Sequence, residues 1–332
     1  MALLEVRGLV TEFHTAAGVA RALDGVSFAL ERGKVLGIVG ESGSGKSVTA
    51  LSLMNLLDGP GRIGAGEIVL AGEDLRRASE QRWRALRGDR IAMVFQDPMM
   101  SLNPVLRIGD QLAETVALHY RKDRAAIREQ VAEALRRVGI AAPRERMRAY
   151  PHELSGGMRQ RVAIANAIIN RPDLIIADEP TTALDVTIQA QILYEMKALV
   201  RESGTALIWI THDIGVVKDL ADELCVMYAG SVIEHGPVAE VLAHPRHPYT
   251  RGLIDSLPDA GAMGGIDGMG GTAGTRRRLY SIPGATPPLL ALPPGCAFSP
   301  RCGRAAALCA TRPPAVAEGA RAHRCFYPLE RA

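Results

Sequence analysis

The stretch KVLGIVGESGSGKSVTALSLMNLL, residues 34–57, reads as a short buried strand, a glycine-rich loop and a helix in direct succession. KVLGIVG is apolar without polar alternation, the pattern of a parallel strand covered on both faces. GESGSGKS (40–47) fits G-x-x-x-x-G-K-[ST], a loop that cradles nucleotide phosphates. Gly40, Gly43 and Gly45, with Ser42 between them, let the backbone turn successive N–H groups inward around phosphate oxygens. Lys46 offers a point charge to the β- and γ-phosphates, Ser47 a hydroxyl to Mg²⁺, and the helix that follows adds its N-terminal dipole. Chance produces such a match about once in a hundred chains of this length. The strand–loop–helix setting lowers that further, so a nucleotide site is expected.

Working outward, LIIADEP (174–180) and ALIWITHD (206–213) are two more apolar strands of an α/β fold. The first ends in Asp178 and Glu179. A carboxylate at a strand tip beside a phosphate loop holds Mg²⁺, directly or through water. Its neighbour Glu179 can then orient the attacking water or accept its proton. Between the first and second strands lies a polar, helix-rich stretch, about 98–172. Within it Ile127, Val131, Leu135 and Val138 recur at helical spacing and predict one apolar face over 123–140.

The 332 residues suggest about two domains, and 47% hydrophobic residues suffice for a full core. A net charge of +3 and 4% aromatic content speak against a basic, base-stacking nucleic-acid binder. No apolar run reaches the roughly 18 residues that cross a bilayer. Glu5 and Arg7 interrupt the start where a signal peptide would be apolar, so a soluble protein in a reducing compartment is expected. After about residue 245 the composition shifts. Residues 258–275 hold seven glycines in eighteen positions and read as a linker, followed by Arg276–Arg278 and the proline-rich 282–295. Such a tail has little apolar mass of its own. Cys296, Cys302, Cys309 and Cys325 are spaced by five, six and fifteen residues and suggest a metal as the staple. An Fe–S cluster and Zn²⁺ both suit soft thiolates, and His323 is a further zinc ligand candidate. Cys225, within LCVMY, reads as a buried strand residue without chemistry.

LSGGMRQR (154–161) resembles the signature motif of the ATP-binding cassette (ABC) superfamily. The family's other motifs have counterparts in order: Gln96 in VFQDP resembles the Q-loop, Ala183-Leu184-Asp185 the D-loop and His212 in ITHD the switch histidine. Phe13 is a candidate for stacking on adenine. The resemblance covers residues 1–245 and implies a P-loop cassette with a mixed sheet and a helical subdomain. It implies that Ser155, Gly156 and Gly157, at a helix start, face the phosphate loop of a partner cassette, so that ATP is sandwiched between two protomers. It further implies that His212 meets the γ-phosphate, that Gln96 joins Ser47 and Asp178 around Mg²⁺, and that Asp185 lies at the cassette interface.

IVGESGSGKS, FQDPMMSLNP (95–104), HPYTRGLIDSLP (247–258) and the tail pattern IPG…LPPGCAFSPRC (282–302) are similar to the ATPases of dipeptide, oligopeptide and nickel importers. That likeness extends over 246–332 and favours a [4Fe–4S] cluster on the four late cysteines. Stability more than catalysis is the tail's expected role. The function implied is an ATPase acting from the cytoplasmic face of the inner membrane. Its implied partners are two permeases, a second, different ATPase, and indirectly an extracellular binding protein. A soluble ABC ATPase acting on nucleic acid and a cassette that binds ATP without hydrolysis are the competing readings.

Overall fold

The computed structural model describes residues 2–182, 184–257 and 281–330. The glycine-rich 258–275, Arg276–Arg278 and Ala183 of the D-loop lie outside them. The strands, in chain order, are β1 (Ala2–Thr15), β2 (Gly18–Glu31), β3 (Val35–Val39), β4 (Gly61–Leu70), β5 (Glu73–Asp74), β6 (Ile91–Val94), β7 (Leu174–Asp178), β8 (Ala206–Thr211), β9 (Glu223–Tyr228), β10 (Ser231–Pro237), β11 (Val316–Glu318) and β12 (Arg321–His323). They form a four-stranded sheet, β2-β1-β4-β5, and an eight-stranded one, β11-β12-β10-β9-β3-β8-β7-β6. The first is antiparallel. In the second, β9 through β6 are parallel, and β10, β12 and β11 continue antiparallel.

The apolar strands read from sequence are the centre of that second sheet, and every residue of β3, β7 and β8 is buried. Side chains alternate across a strand, and here the alternation sorts them into two cores. Leu36 and Ile38, Leu174 and Ile176, and Ile208 and Ile210 pack against Leu4, Leu9, Ile68 and Leu70 of the antiparallel sheet. Ile175, Ala177, Leu207 and Trp209 turn the other way, onto the helices. Among these is Arg124–Arg137, capped by Asp123, whose Oδ1 accepts the N–H of Ala126 at 2.7 Å. Ile127, Val131, Leu135 and Val138 are all buried there, as their spacing predicts. Beside it run Ile108–His119 and Gly156–Ile168, so the stretch between β6 and β7 is helical as expected. No helix among the described residues is long and apolar enough to cross a membrane.

The tail is held differently from what its composition predicts. It adds the β11–β12 hairpin to the edge of the main sheet, with Glu234 of β10 opposite His323 of β12. A buried ion pair, Arg321 Nη2 to Glu234 Oε1 at 3.1 Å, locks that register, and the same carboxylate accepts the N–H groups of Arg246 and His247. Phe298 enters a third core, 5.3 Å edge-on from both Tyr228 and Tyr249. The cassette thus lends the tail a sheet edge and an aromatic socket. The metal staple expected from sequence is not what the structure shows holding it.

Phe298→Ala should therefore lower the unfolding free energy of the whole protein by about 3–5 kcal/mol. Urea titration followed by circular dichroism measures it. A loss below about 1 kcal/mol would show that the tail is not part of the cooperative core.

Candidate functional site

Parallel pairing decides which loops meet. β3, β8, β7 and β6 lie side by side and point the same way. Their carboxyl ends deliver, in spatial order, the phosphate loop, His212, the Asp178–Glu179 pair and Gln96, the place where open α/β sheets hold ligands.

The phosphate loop leaves β3 at Gly40 and enters the helix Lys46–Leu53. A Cβ on Gly40 would stand 2.3 Å from the carbonyl oxygen of Met227, so no side chain fits there. Gly45, at φ 101, caps the helix in the left-handed region that favours glycine, and the first helical N–H groups have no intrahelical partner. Lys46 is buried, and its Nζ donates to the carbonyls of Gly40 (2.7 Å) and Glu41 (3.0 Å). Burial pushes its pKa below the usual lysine range, against the attraction of Glu179 and Asp178.

Asp178 ends β7, and burial raises its pKa, opposed by a hydrogen bond from Ser47. Its Oδ1 is buried with no partner among the described residues. A buried carboxylate with one oxygen orphaned, beside the Ser47 hydroxyl, is a donor set that fits a divalent cation. Glu179 follows at φ 46, a strained left-handed position for a residue with a side chain, its N–H donating to Ile210. That geometry turns its carboxylate into the cluster. Oε2 accepts from Thr182 Oγ1 at 3.0 Å, lies 3.3 Å from His212 Nδ1, and meets Gln96 Nε2 at 3.5 Å. Thr182 was not singled out from sequence. A hydroxyl three residues beyond Glu179, across a tight turn, was the available signal.

Other predicted residues stand apart from this cluster. Phe13 lies on β1 with its ring over Gly61 of β4, 2.8 Å from where a Cβ would be. Ser155 caps the helix Gly156–Ile168 by accepting the N–H of Met158, and with Gly156 it is exposed. A Cβ on Gly156 would meet nothing within 4 Å, and one on Gly157 only Leu184. Asp185 is exposed and spends Oδ1 as the cap of the helix Val186–Ser203, accepting the N–H of Ile188 at 3.0 Å.

Cys296, Cys302, Cys309 and Cys325 line one small cavity, walled by Phe298, Phe326 and Tyr327. Burial pushes the Cys325 thiol up to about 11 and raises Cys296 as well. His323 is not among the cavity's lining residues. Among the described residues no three or more His, Cys, Asp or Glu side chains are placed to hold a metal ion as they stand. Convergence of the four thiols fits the reading of one site; a formed metal centre does not follow from it. Cys225 is fully buried on β9, as its sequence context suggests.

A phosphate loop, a strand-tip carboxylate pair and a histidine at the carboxyl ends of a parallel sheet define a P-loop nucleoside triphosphatase. Residues 23–182 match the family model for ABC transporters, and residues 233–309 that for the oligopeptide/dipeptide transporter C-terminal region. The chain is 46% identical over 99% of its length to the oligopeptide transport ATP-binding protein OppD of Salmonella typhimurium, covering 94% of that protein. It is 45% identical, again over 99% of its length, to the dipeptide transport ATP-binding protein DppD of Escherichia coli, covering 98% of it. Among solved structures, the dimeric post-hydrolysis state of the ATP-binding cassette MJ0796 bound to ADP and Pi superposes with a TM-score of 0.65 at 26% identity. That match covers 71% of this chain and 98% of that one. The chain belongs to the ABC transporter family, among its ATP-binding subunits, and is an ATPase.

Mg²⁺ should tighten ATP binding to the native protein and leave the affinity of Asp178→Asn unchanged. Because burial raises the Asp178 pKa, its carboxylate protonates at a higher pH than an ordinary aspartate. The Mg²⁺ enhancement should accordingly fade on acidification before free aspartates titrate. Fluorescent-nucleotide titration across pH measures this, and equal enhancement in Asp178→Asn would refute the cation assignment.

Proposed function

We propose that this chain drives import of peptides or related small solutes by hydrolysing ATP at the cytoplasmic face of the inner membrane. Residues 1–245 act as the cassette and 246–332 as an extension, with 98–172 as the helical subdomain. The observation that carries the reading is the convergence of His212, Thr182 and Gln96 on one oxygen of Glu179, beside Lys46 and Asp178.

In this mechanism Gly40, Ser42, Gly43 and Gly45 shape the loop around the phosphates, and Lys46 leaves the Gly40 and Glu41 carbonyls for their oxygens. Ser47, Asp178 and Gln96 would hold Mg²⁺, which would supply positive charge at the phosphates. Glu179 orients the attacking water and takes its proton; His212 steadies that carboxylate and meets the γ-phosphate. Phe13 stacks on adenine. The exposed Ser155 and Gly156, with the half-buried Gly157, serve a second cassette, and Asp185 stands at the same interface. A helix N-terminus left open to solvent, with free amides and a serine cap, supports that half-site reading. Each ATP then bridges two protomers, and hydrolysis removes what closes them. The partners are two permeases, a second and different ATPase, and through them an extracellular binding protein. Relatives named for oligopeptide and dipeptide transport support the substrate class.

The cysteine-lined cavity is the seat of a [4Fe–4S] cluster, held by Cys296, Cys302, Cys309 and Cys325. Convergence of four thiols from a proline-rich segment onto one half-buried cavity supports this.

Glu179→Gln in the assembled transporter should bind ATP normally and turn over roughly 10²–10⁴-fold more slowly, accumulating a closed, nucleotide-trapped state. Steady-state phosphate release together with nucleotide retention after gel filtration tests both halves. Normal turnover would overturn the role given to Glu179.

Protein purified without oxygen should be brown and carry iron and sulfide, both lost in Cys302→Ser and kept in Cys225→Ser. Elemental analysis distinguishes the outcomes: one zinc per chain would replace the cluster with zinc, and four freely alkylated thiols in folded protein would remove the site.

A further inference from the structure

The second residue of the phosphate loop is gripped from outside the cassette motifs. Arg301, in the turn between Cys296 and Cys302, donates from Nη2 to Glu41 Oε1 at 2.9 Å and from Nη1 to Oε2 at 2.5 Å. This is a two-pronged, charge-assisted contact, the strong geometry for a guanidinium on a carboxylate. Thr286 Oγ1 donates to the same Oε2 at 2.9 Å, and the hydroxyl of Tyr249 accepts the backbone N–H of Glu41 at 2.8 Å. Three residues that follow the cassette therefore fix both the side chain and the amide of Glu41. The Glu41 carbonyl, in turn, is a resting place of the Lys46 ammonium. Arg301 holds the Glu41 carboxyl below the usual carboxylate range.

Arg301 is itself rigidly seated. Its side chain is only 5% exposed. Nε donates to the carbonyl of Pro283 at 2.8 Å, and the guanidinium lies over the rings of Tyr228 and Phe298. Its neighbour Cys302 lines the cysteine cavity. A chain of contacts thus runs from Cys302 at the cavity through Arg301 to Glu41 of the phosphate loop.

We infer that Arg301 is a positioning residue of the ATP site: acting through Glu41, it pre-sets the phosphate loop, so that order in the extension is felt as affinity for ATP. Were the bridge only glue between the extension and the cassette, its loss would lower stability and leave the nucleotide affinity of folded protein unchanged. As a positioning contact it moves affinity. The inference rests on the phosphate loop binding ATP, and the full-length native chain serves as the check on that reading.

ATP dissociation constants of full-length Arg301→Gln, Glu41→Gln and the double variant, measured by fluorescent-nucleotide titration below their unfolding temperatures, test it. Each single variant should bind on the order of tenfold more weakly, within the usual range of coupling between linked sites. The double variant should be no weaker than the worse single one, because one contact is lost either way. Arg301→Lys, which keeps the charge and loses the fork, should fall between. Turnover of the assembled complex at saturating ATP should stay within about twofold, since KM and not kcat carries a ground-state binding effect. Arg251→Gln, which removes an exposed ion pair to Asp255 within the extension, should leave ATP affinity at the native value. If Arg301→Gln does not fold, Glu41→Gln and Arg301→Lys carry the comparison. Native affinity in these folded variants, or effects that simply add in the double variant, would overturn the clamp alone. A native chain that binds no ATP would overturn the nucleotide reading beneath it.

Discussion

Burial of one parallel sheet on both faces is the constraint on which the rest depends. β3, β7 and β8 have no side chain facing water, so each needs a helix layer on one side and the antiparallel sheet on the other. Strands so enclosed can be joined only by long crossovers, which leave their carboxyl ends as the open rim. The phosphate loop, His212, the Asp178–Glu179 pair and Gln96 stand on that rim. Lys46, the Asp178–Glu179 pair and His212 are far apart in sequence and neighbours only because three strands share a direction. Two of the four are buried, which is costly for charged groups. Lys46 is compensated by backbone carbonyls, whereas Asp178 keeps one orphaned oxygen, the price of a site shaped for a cation.

The sequence made the rim legible because its motifs are local. An apolar strand, a glycine loop and a helix, or a strand ending in Asp-Glu, each report on their own surroundings within a dozen residues. The helix at 124–137 was equally readable, since its face repeats at the helical period. What stayed hidden are relations between distant segments. Thr182 joins Glu179 through a turn whose strained φ no residue type announces. Phe13 and Asp185 carry recognisable chemistry, yet within one chain the first covers Gly61 and the second caps its own helix. Ser155 is readable as a helix cap, and its wider use depends on a surface that one chain does not contain.

The ties that hold the tail to the cassette are hidden from sequence for a physical reason. Counting its own apolar residues treats it as an independent fold, and on that basis only a metal could hold it. In the structure it borrows. Phe298 finds its partners, Tyr228 and Tyr249, in the preceding segments, and Arg321 finds its counter-ion on β10. Arg301 goes further and reaches the nucleotide loop itself. A lone arginine between two cysteines carries no sequence signal for such a contact, because its meaning lies entirely in Glu41, 260 positions away.

The β11–β12 hairpin has a consequence for solubility. β10 is seven residues long, and one side of it is paired with β9. Its other side would offer free backbone N–H and C=O groups to any passing chain, a template for edge-to-edge aggregation. β12 covers the middle of that side, at Glu234 and His235, and the sheet then stops at β11, only three residues long. A short terminal strand is a poor template. The extension thereby guards the main sheet against joining that of another copy.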